Sequence, residues 1–257
     1  MIEACFTPRG LVSLELMLQV LPKRGTISFP DFICDEVVAL LRRYFEPAGM
    51  RPYRVRADLT ADTATVTHSD VLYTVDYFGR ENGLIAPYVT AHIRDAVWMP
   101  YPERRLDENE WWFTSFRKFA WPAHGSMALT TPELNDSALR GPPEPNGIAE
   151  AMAANGIAER RLRSANYDIL DEVLFDYGGV DNFSPQFCSV YPLIVPNRDQ
   201  VVAKLAAQGI QLPGMWKNAH GFPNDLYRTL VLIPCDSRFT VAEIEWRAQL
   251  VREAIEG

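Results

Sequence analysis

The chain has 257 residues, 47% hydrophobic, 23% charged and 11% aromatic, enough for one large domain with a smaller lobe. High apolar content with mixed charge excludes a disordered chain. Acidic residues outnumber basic ones 33 to 25, a net charge of −8, which argues against nucleic acid as a partner.

No apolar run approaches the roughly 20 residues that span a bilayer, so no membrane association is expected. The start, MIEACFTPRG, has no basic segment followed by an apolar one. The cysteines, Cys5, Cys34, Cys188 and Cys235, are far apart in sequence, which points to a reducing cytoplasm. His68, His92, His124 and His220 lack metal-ligand spacing, so no metal is expected. Phosphate-loop, dinucleotide-binding and nucleophile-elbow motifs are absent.

Taken in chain order, Leu11, Leu14, Leu18 and Leu21 recur at helical spacing and predict one buried helix face. Thr26 to Phe29 predicts a short strand stopped by Pro30, and Asp35 to Phe45 a second amphipathic helix. Tyr53 to Arg56 is a weak strand and Val71 to Tyr77 a better one, closed by Phe78-Gly79. Further strands are predicted at Thr90 to Ile93, Trp111 to Ser115 and Ser126 to Leu129. Strands alternating with helices predict an α/β core with a mainly parallel sheet. Leu134 to Gly147 holds three prolines and two glycines and reads as a loop, either a plain linker or a lid. A long polar helix is expected over Ile148 to Phe175, a strand over Ser189 to Val195, and a helix over Asp199 to Gln208 capped by Gly209. A strand at Thr229 to Ile233 follows, then a last helix opened by a Thr240/Glu243 capping box. The domains expected are 1–163, a large domain, and 164–257, a small α/β domain.

Asp95 ends a predicted strand, where open α/β sheets place their sites. Downstream, Thr114 and Ser115 precede Arg117 and Lys118, and Gly125 follows. A lysine after a hydroxyl pair can form an imine beside an anion-binding loop. Spacing alone leaves solvated surface groups as the commoner reading of such residues.

Several segments, in order, resemble the DegT/DnrJ/EryC1/StrS family of PLP-dependent aminotransferases. Thr26 to Val37 (TISFPDFICDEV) is similar to the family's strand-and-helix pattern around its proline and cysteine. Asp76-Tyr-Phe-Gly79 resembles "hyFG", Arg94-Asp95-Ala96 resembles "EDaa", and Ser115-Phe-Arg117-Lys118 with Gly125 resembles "SlRK…GG". Arg163 to Leu170 is similar to the long helix that follows, and Tyr191 to Pro196, Gly209-Ile210 and Trp216 to the small-domain pattern. The matches are short, and together they run through most of the chain.

The resemblance implies a fold type I PLP-dependent transferase fold with pyridoxal 5'-phosphate as cofactor. It implies an enzyme acting on an amino acid donor and a keto acceptor, with a keto sugar nucleotide as a common acceptor. By the same resemblance Lys118 carries the Schiff base and Asp95 pairs with the pyridine nitrogen. Ser115, with Thr114, hydrogen-bonds the phosphate. Thr7 and Arg9 stand where a "SGxAAL" turn offers backbone N–H groups at a helix N-terminus. Phe32 and Cys34 are the candidates to cover the cofactor ring, with core packing the competing reading of Phe32. Arg117, Trp216 and His220 are candidate substrate contacts; surface exposure competes for Arg117 and a loop position for His220. A homodimer is implied, because the clefts of this fold lie between subunits.

The sequence departs from the family pattern at four points, one of them the paired glycines after the lysine, which become Gly125-Ser126 preceded by His124. In the other three, Pro8 lacks an N–H where a glycine is usual, Arg94 replaces an acidic residue, and the chain is shorter than usual, with compression at Leu59 to Asp70 and Thr131 to Gly147. Two alternatives follow: a PLP enzyme of another reaction type (elimination, decarboxylation or C–C cleavage), or a non-catalytic scaffold of the same fold.

Overall fold

The computed structural model describes residues 3–21, 25–84, 89–102, 104–119, 125–130, 148–181, 183, 185, 187–214 and 216–257, with backbone alone for 3–4, 130 and 148–155. The expected loop at Leu134 to Gly147 and His124 lie outside the described residues.

The N-terminal elements are β1 (Glu3–Thr7), α1 (Gly10–Val20), β2 (Ile27–Pro30), α2 (Asp35–Leu41), β3 (Met50–Tyr53), β4 (Val71–Val75), β5 (Ala91–Asp95), β6 (Glu110–Phe113) and β7 (Ser126–Thr130). They form a seven-stranded sheet in the order β1-β7-β6-β5-β4-β2-β3. Strands β2 to β6 run parallel, and β7 runs antiparallel to both β6 and β1. The remaining elements are α3 (Ile148–Leu174), β8 (Val190–Ile194), α4 (Arg198–Ala207), α5 (Leu226–Thr229), β9 (Leu230–Pro234) and α6 (Val241–Glu256). Here β8 and β9 pair antiparallel, and α6 packs on α3 and α4. Helix α3 runs unbroken across residues 163 and 164, where the sequence suggested a boundary. One cluster of buried side chains reaches from α1 to α6.

The helices form where apolar spacing and end signals agree. In α1, Leu14 and Leu18 are buried with Met17, while Leu11 is half-buried in the first turn. Helix α2 stops at Leu41 rather than Phe45; a looser turn ending in the buried Phe45 precedes Pro47. At the end of α4, Gly209 adopts φ +83°, and the Ile210 N–H returns to the Leu205 carbonyl at 2.9 Å. At α6 the capping box is complete: the Thr240 N–H donates to Glu243 at 2.8 Å, and the Glu243 N–H donates to Thr240 at 3.3 Å. Strand β1 was not expected, since its five residues, EACFT, carry little alternation. It forms because it pairs along its whole length with β7.

One feature departs from the helix–strand alternation read from sequence. Among the described residues, no α-helix lies between β4 and β5 or between β5 and β6. Parallel neighbours usually need a helical crossover to cover the sheet. Here the sheet face bearing Thr74, His92, Arg94, Glu110 and Trp112 is covered by loops. It buries a charged cluster beside the apolar group of Ala96, Met99, Leu106 and Trp112.

Candidate active site

Side chains alternate across a strand, so neighbours in sequence serve opposite faces. On β5, Asp95 faces the α1 side of the sheet and Arg94 the other. At the end of β6, Phe113 and Ser115 share the face of Asp95, while Thr114 turns away and its hydroxyl donates to the Met99 carbonyl. The Ser115–Phe119 turn, with a single 3₁₀ turn at Phe116–Lys118, then carries Lys118 back over the strand ends.

A cavity of about 130 Å³ lies at these strand ends. Arg9, Gly10 and Leu11 at the start of α1, Cys34, Asp95, Trp98, Ser115, Arg117, Lys118 and Trp216 all line it. Gly10 packs against Val97 and Phe113, where a Cβ would lie 3.4 Å and 3.5 Å from them, at ordinary contact distance. The cap of α1 is Arg9, whose carbonyl receives the Val12 and Ser13 N–H groups. Pro8 thus precedes the cap, and its missing N–H is not one of the first-turn donors that point at the cavity.

Two titratable groups converge, Asp95 buried and Lys118 half-buried. Asp95 accepts from the Tyr73 hydroxyl at 2.5 Å and from the Val97 N–H at 3.3 Å. Burial raises its pKa to about 6; the two hydrogen bonds and the Lys118 charge oppose this, while the Asp76 charge adds to it. Lys118 lies with Nζ 3.8 Å from the centre of the Trp98 ring. Burial lowers its pKa to about 8 and the Arg117 charge adds to the effect, while Asp95 opposes it. About one amine in ten is then uncharged at pH 7, far more than for an ordinary lysine.

The DYFG segment supports this pair, one residue per task. Asp76 accepts from Arg94 at 2.6 Å on the opposite face. The Tyr77 hydroxyl donates to the Phe32 carbonyl. Phe78, in the left-handed region at φ +55°, meets Trp98 edge-on at 5.5 Å. Gly79, at φ +93°, leaves no room for a Cβ, which would lie 2.2 Å from the Phe187 carbonyl oxygen.

Not every expected residue enters the cavity. Phe32 is fully buried behind it and packs on Trp216 at 4.8 Å, so Cys34 and Trp216 form that wall. The Thr7 hydroxyl is engaged with the Arg9 carbonyl at 3.0 Å and with Ser13 at 2.8 Å. His220 is turned into the fold: its Nε2 lies 2.8 Å from the Tyr227 hydroxyl and 3.2 Å from the Ile33 carbonyl. With Tyr227 it fastens the loop that carries Trp216 to the turn before α2. The structure therefore brings together Lys118, Asp95, Ser115, Arg9, Cys34, Arg117 and Trp216, and places Thr7, Thr114, Phe32 and His220 outside the lining.

Sequence reasoning missed Tyr73, Trp98 and the positioning role of Arg163. Arg163, fully buried, donates to Glu159 at 2.5 Å, to the Cys188 carbonyl at 3.2 Å and to the Lys118 carbonyl at 3.3 Å. A second cavity of about 380 Å³ opens on the far side of Trp98 and Lys118, lined also by Arg163, Ser189, Asp236 and Arg238. A wider opening of about 600 Å³ at the ends of β2 and β3 has no amine, thiol or imidazole on its walls among the described residues.

The residues present fit pyridoxal phosphate. A primary amine of lowered pKa, a buried carboxylate and the N–H-rich start of an eleven-residue helix flanked by Ser115 and two arginines face one small cavity.

No protein-family model matches the chain, and no curated protein matches it in sequence. Solved structures match it over nearly its whole length. DesV from S. venezuelae is 15% identical, with a TM-score of 0.77 over 99% of this chain and 85% of that one. 3-Amino-5-hydroxybenzoic acid synthase is 14% identical, with a TM-score of 0.75 over 98% and 86%. A DegT/DnrJ/EryC1/StrS aminotransferase from Brucella abortus is 15% identical, with a TM-score of 0.73 over 98% and 85%. The fold of this chain is thus the fold type I of PLP-dependent aminotransferases. Within it, the expectation of an α/β large domain with a mainly parallel sheet holds.

Proposed function

We propose that this protein is a PLP-dependent aminotransferase of the DegT/DnrJ/EryC1/StrS kind, with Lys118 as the covalent anchor. One observation carries the reading: the half-buried Lys118 amine and the buried Asp95 carboxylate face one cavity at the strand ends beside the start of α1. When bound, pyridoxal phosphate supplies an aldehyde and an electron-withdrawing ring. Asp95 holds a proton on the ring nitrogen as its counter-charge. The Gly10 and Leu11 N–H groups, Ser115 and Arg9 hold the phosphate, and Arg117 adds charge at the rim. The Lys118 Nζ would be the base that takes up and returns the proton in the chemistry the cofactor supplies. Cys34 and Trp216, which wall the cavity, would cover a bound ring, and Trp98 would hold the Lys118 Nζ in place.

The substrates proposed are an amino acid donor and a keto acceptor, with keto sugar nucleotides the first acceptors to screen. Their place is the second cavity, which shares Trp98, Arg117 and Lys118 with the first. The assembly proposed is a homodimer, and the lobes proposed are 1–163 and 164–257. Arg94 supports the enzyme reading against a scaffold of the same fold. It lies on the far face of the sheet, matched by acidic groups, so its departure from the family pattern leaves the cavity intact.

The experiment is an absorbance spectrum with added pyridoxal phosphate, followed by borohydride and peptide mapping. A trapped adduct on Lys118 is expected. An unmodified Lys118 overturns the reading. Transfer of the amino group to a keto acceptor, scored by mass, separates aminotransfer from elimination or decarboxylation.

A further inference from the structure

Among the described residues, one side chain donates a hydrogen bond to Asp95. That donor is Tyr73, on the neighbouring strand β4, fully buried, with its hydroxyl 2.5 Å from Oδ2. The register pairs Val75 with Asp95 and Tyr73 with Ile93, so Tyr73 reaches Asp95 along the diagonal of a parallel ladder. Its backbone carbonyl is held in turn by the Tyr53 hydroxyl at 3.2 Å. The Val97 N–H occupies Oδ1 from the opposite side, at 3.3 Å. Together the two donors fix the plane of the carboxylate while Asp95 keeps its place in the cavity wall.

We propose that Tyr73 is a positioning residue of this site, whose hydroxyl holds the Asp95 carboxylate ionised and aimed into the cavity. The bond itself stands on geometry alone; its consequence for the cofactor rests on the reading of Asp95 given above.

The direction of the bond is set. Burial, then the Asp95 charge, keep the Tyr73 phenol protonated far above its ordinary range, so it always donates and the carboxylate accepts. Other groups near Asp95 are few. Asp76 and Tyr77 follow β4, Cys34 and Glu36 face it from the start of α2, Arg9 from the start of α1, and Lys118 and Arg117 from the turn after β6. Arg94 lies on the other face, committed to Asp76, Glu81 and Glu110. Of all these, only the Tyr73 hydroxyl donates a side-chain hydrogen bond to Asp95 among the described residues. A buried carboxylate that loses such a donor becomes harder to ionise.

The test uses the full chain with Tyr73→Phe, which keeps the ring and removes only the hydroxyl. Without added cofactor, the Asp95 carboxyl is titrated by carbon-13 NMR of labelled aspartate, its signal assigned with Asp95→Asn. Its pKa is expected to rise by about one to two units. An unchanged pKa overturns the proposal, whether or not the protein binds pyridoxal phosphate. In wild-type protein that does bind it, the variant is expected to bind about tenfold more weakly at neutral pH, with the gap closing as pH rises. Equal binding at every pH overturns the positioning role even if the carboxyl shifts. If the variant does not fold, wild-type protein decides. A slowly exchanging, downfield Tyr73 hydroxyl proton that moves as Asp95 titrates supports the bond, and its absence overturns it.

Discussion

Arg94 and Asp95 are adjacent on β5, both buried, and face opposite sides of the same sheet. Arg94 is surrounded by opposite charge: Asp76 at 2.6 Å, Glu110 at 2.9 Å and Glu81 at 3.0 Å. Burial works against its charge, but these carboxylates more than offset it, and its pKa stands above the ordinary range. Glu110 is also bound by Arg104 at 2.7 Å. Asp95 has no such match. It has a phenol, one backbone N–H and the more distant Lys118 ammonium, and burial leaves its pKa near 6. The difference separates a charge that completes the structure from one left for a ligand. A saturated buried ion has nothing to offer a cofactor, whereas an under-matched one gains when a cation arrives.

The largest expected effect is at the amine. Lys118→Ala should abolish the borohydride-trapped adduct and lower aminotransfer by at least about a hundredfold. Retained activity in this variant would remove Lys118, and with it the reason for Asp95 to be under-matched.

Next comes Arg94→Ala, which should lower unfolding stability by about 3–5 kcal/mol in urea, because Asp76 is left buried without its cation while Glu110 keeps only Arg104. A variant close to wild type would break the comparison from the other side.

Asp95→Asn should behave in the opposite sense. The folded pKa of Asp95 lies above the ordinary 3.8, so folding favours its neutral form. Its contribution to stability is complete below the unfolded pKa and is lost as pH rises through about 6. Between pH 4 and pH 8 the cofactor-free protein should lose on the order of 3 kcal/mol from this group. Asp95→Asn should flatten that part of the profile in pH-dependent denaturation while weakening pyridoxal phosphate binding at neutral pH. A profile identical to wild type would mean that Asp95 is matched as fully as Arg94.

The smallest effect expected is at Trp98→Leu, which keeps an apolar side chain beside Lys118 and removes the ring face. A cation over an indole is stabilised by about 1 kcal/mol, so the Lys118 pKa should fall by roughly half a unit or more. The pH dependence of adduct formation measures it. A rise would show that the leucine admits water to the amine.

Much of this was legible in the sequence, for reasons that particular residues show. Leu14 and Leu18 mark the buried side of α1 because helical spacing is a local property. Gly209 and the Thr240/Glu243 pair mark helix ends because capping bonds reach only three or four residues. The segments TISFPDFICDEV, DYFG, RDA and SFRK, in order, pointed to the fold that the solved structures share. Period-two alternation was also available at Thr114 and Ser115, and would have sent Thr114 to the far face.

Tertiary structure alone decided the rest. Tyr73 meets Asp95 through the diagonal of a strand pair, Trp98 meets Lys118 across a turn, and Arg163 reaches the Lys118 carbonyl from α3. Nothing local specifies these contacts, because each depends on the register and closure of distant segments. Arg94 reads from sequence as a lost acidic residue, and only the cluster around it shows a matched charge on the other face. Spacing along the chain determines which elements form and where they end. Which buried charges are satisfied, and which stay available for chemistry, depends on how those elements meet.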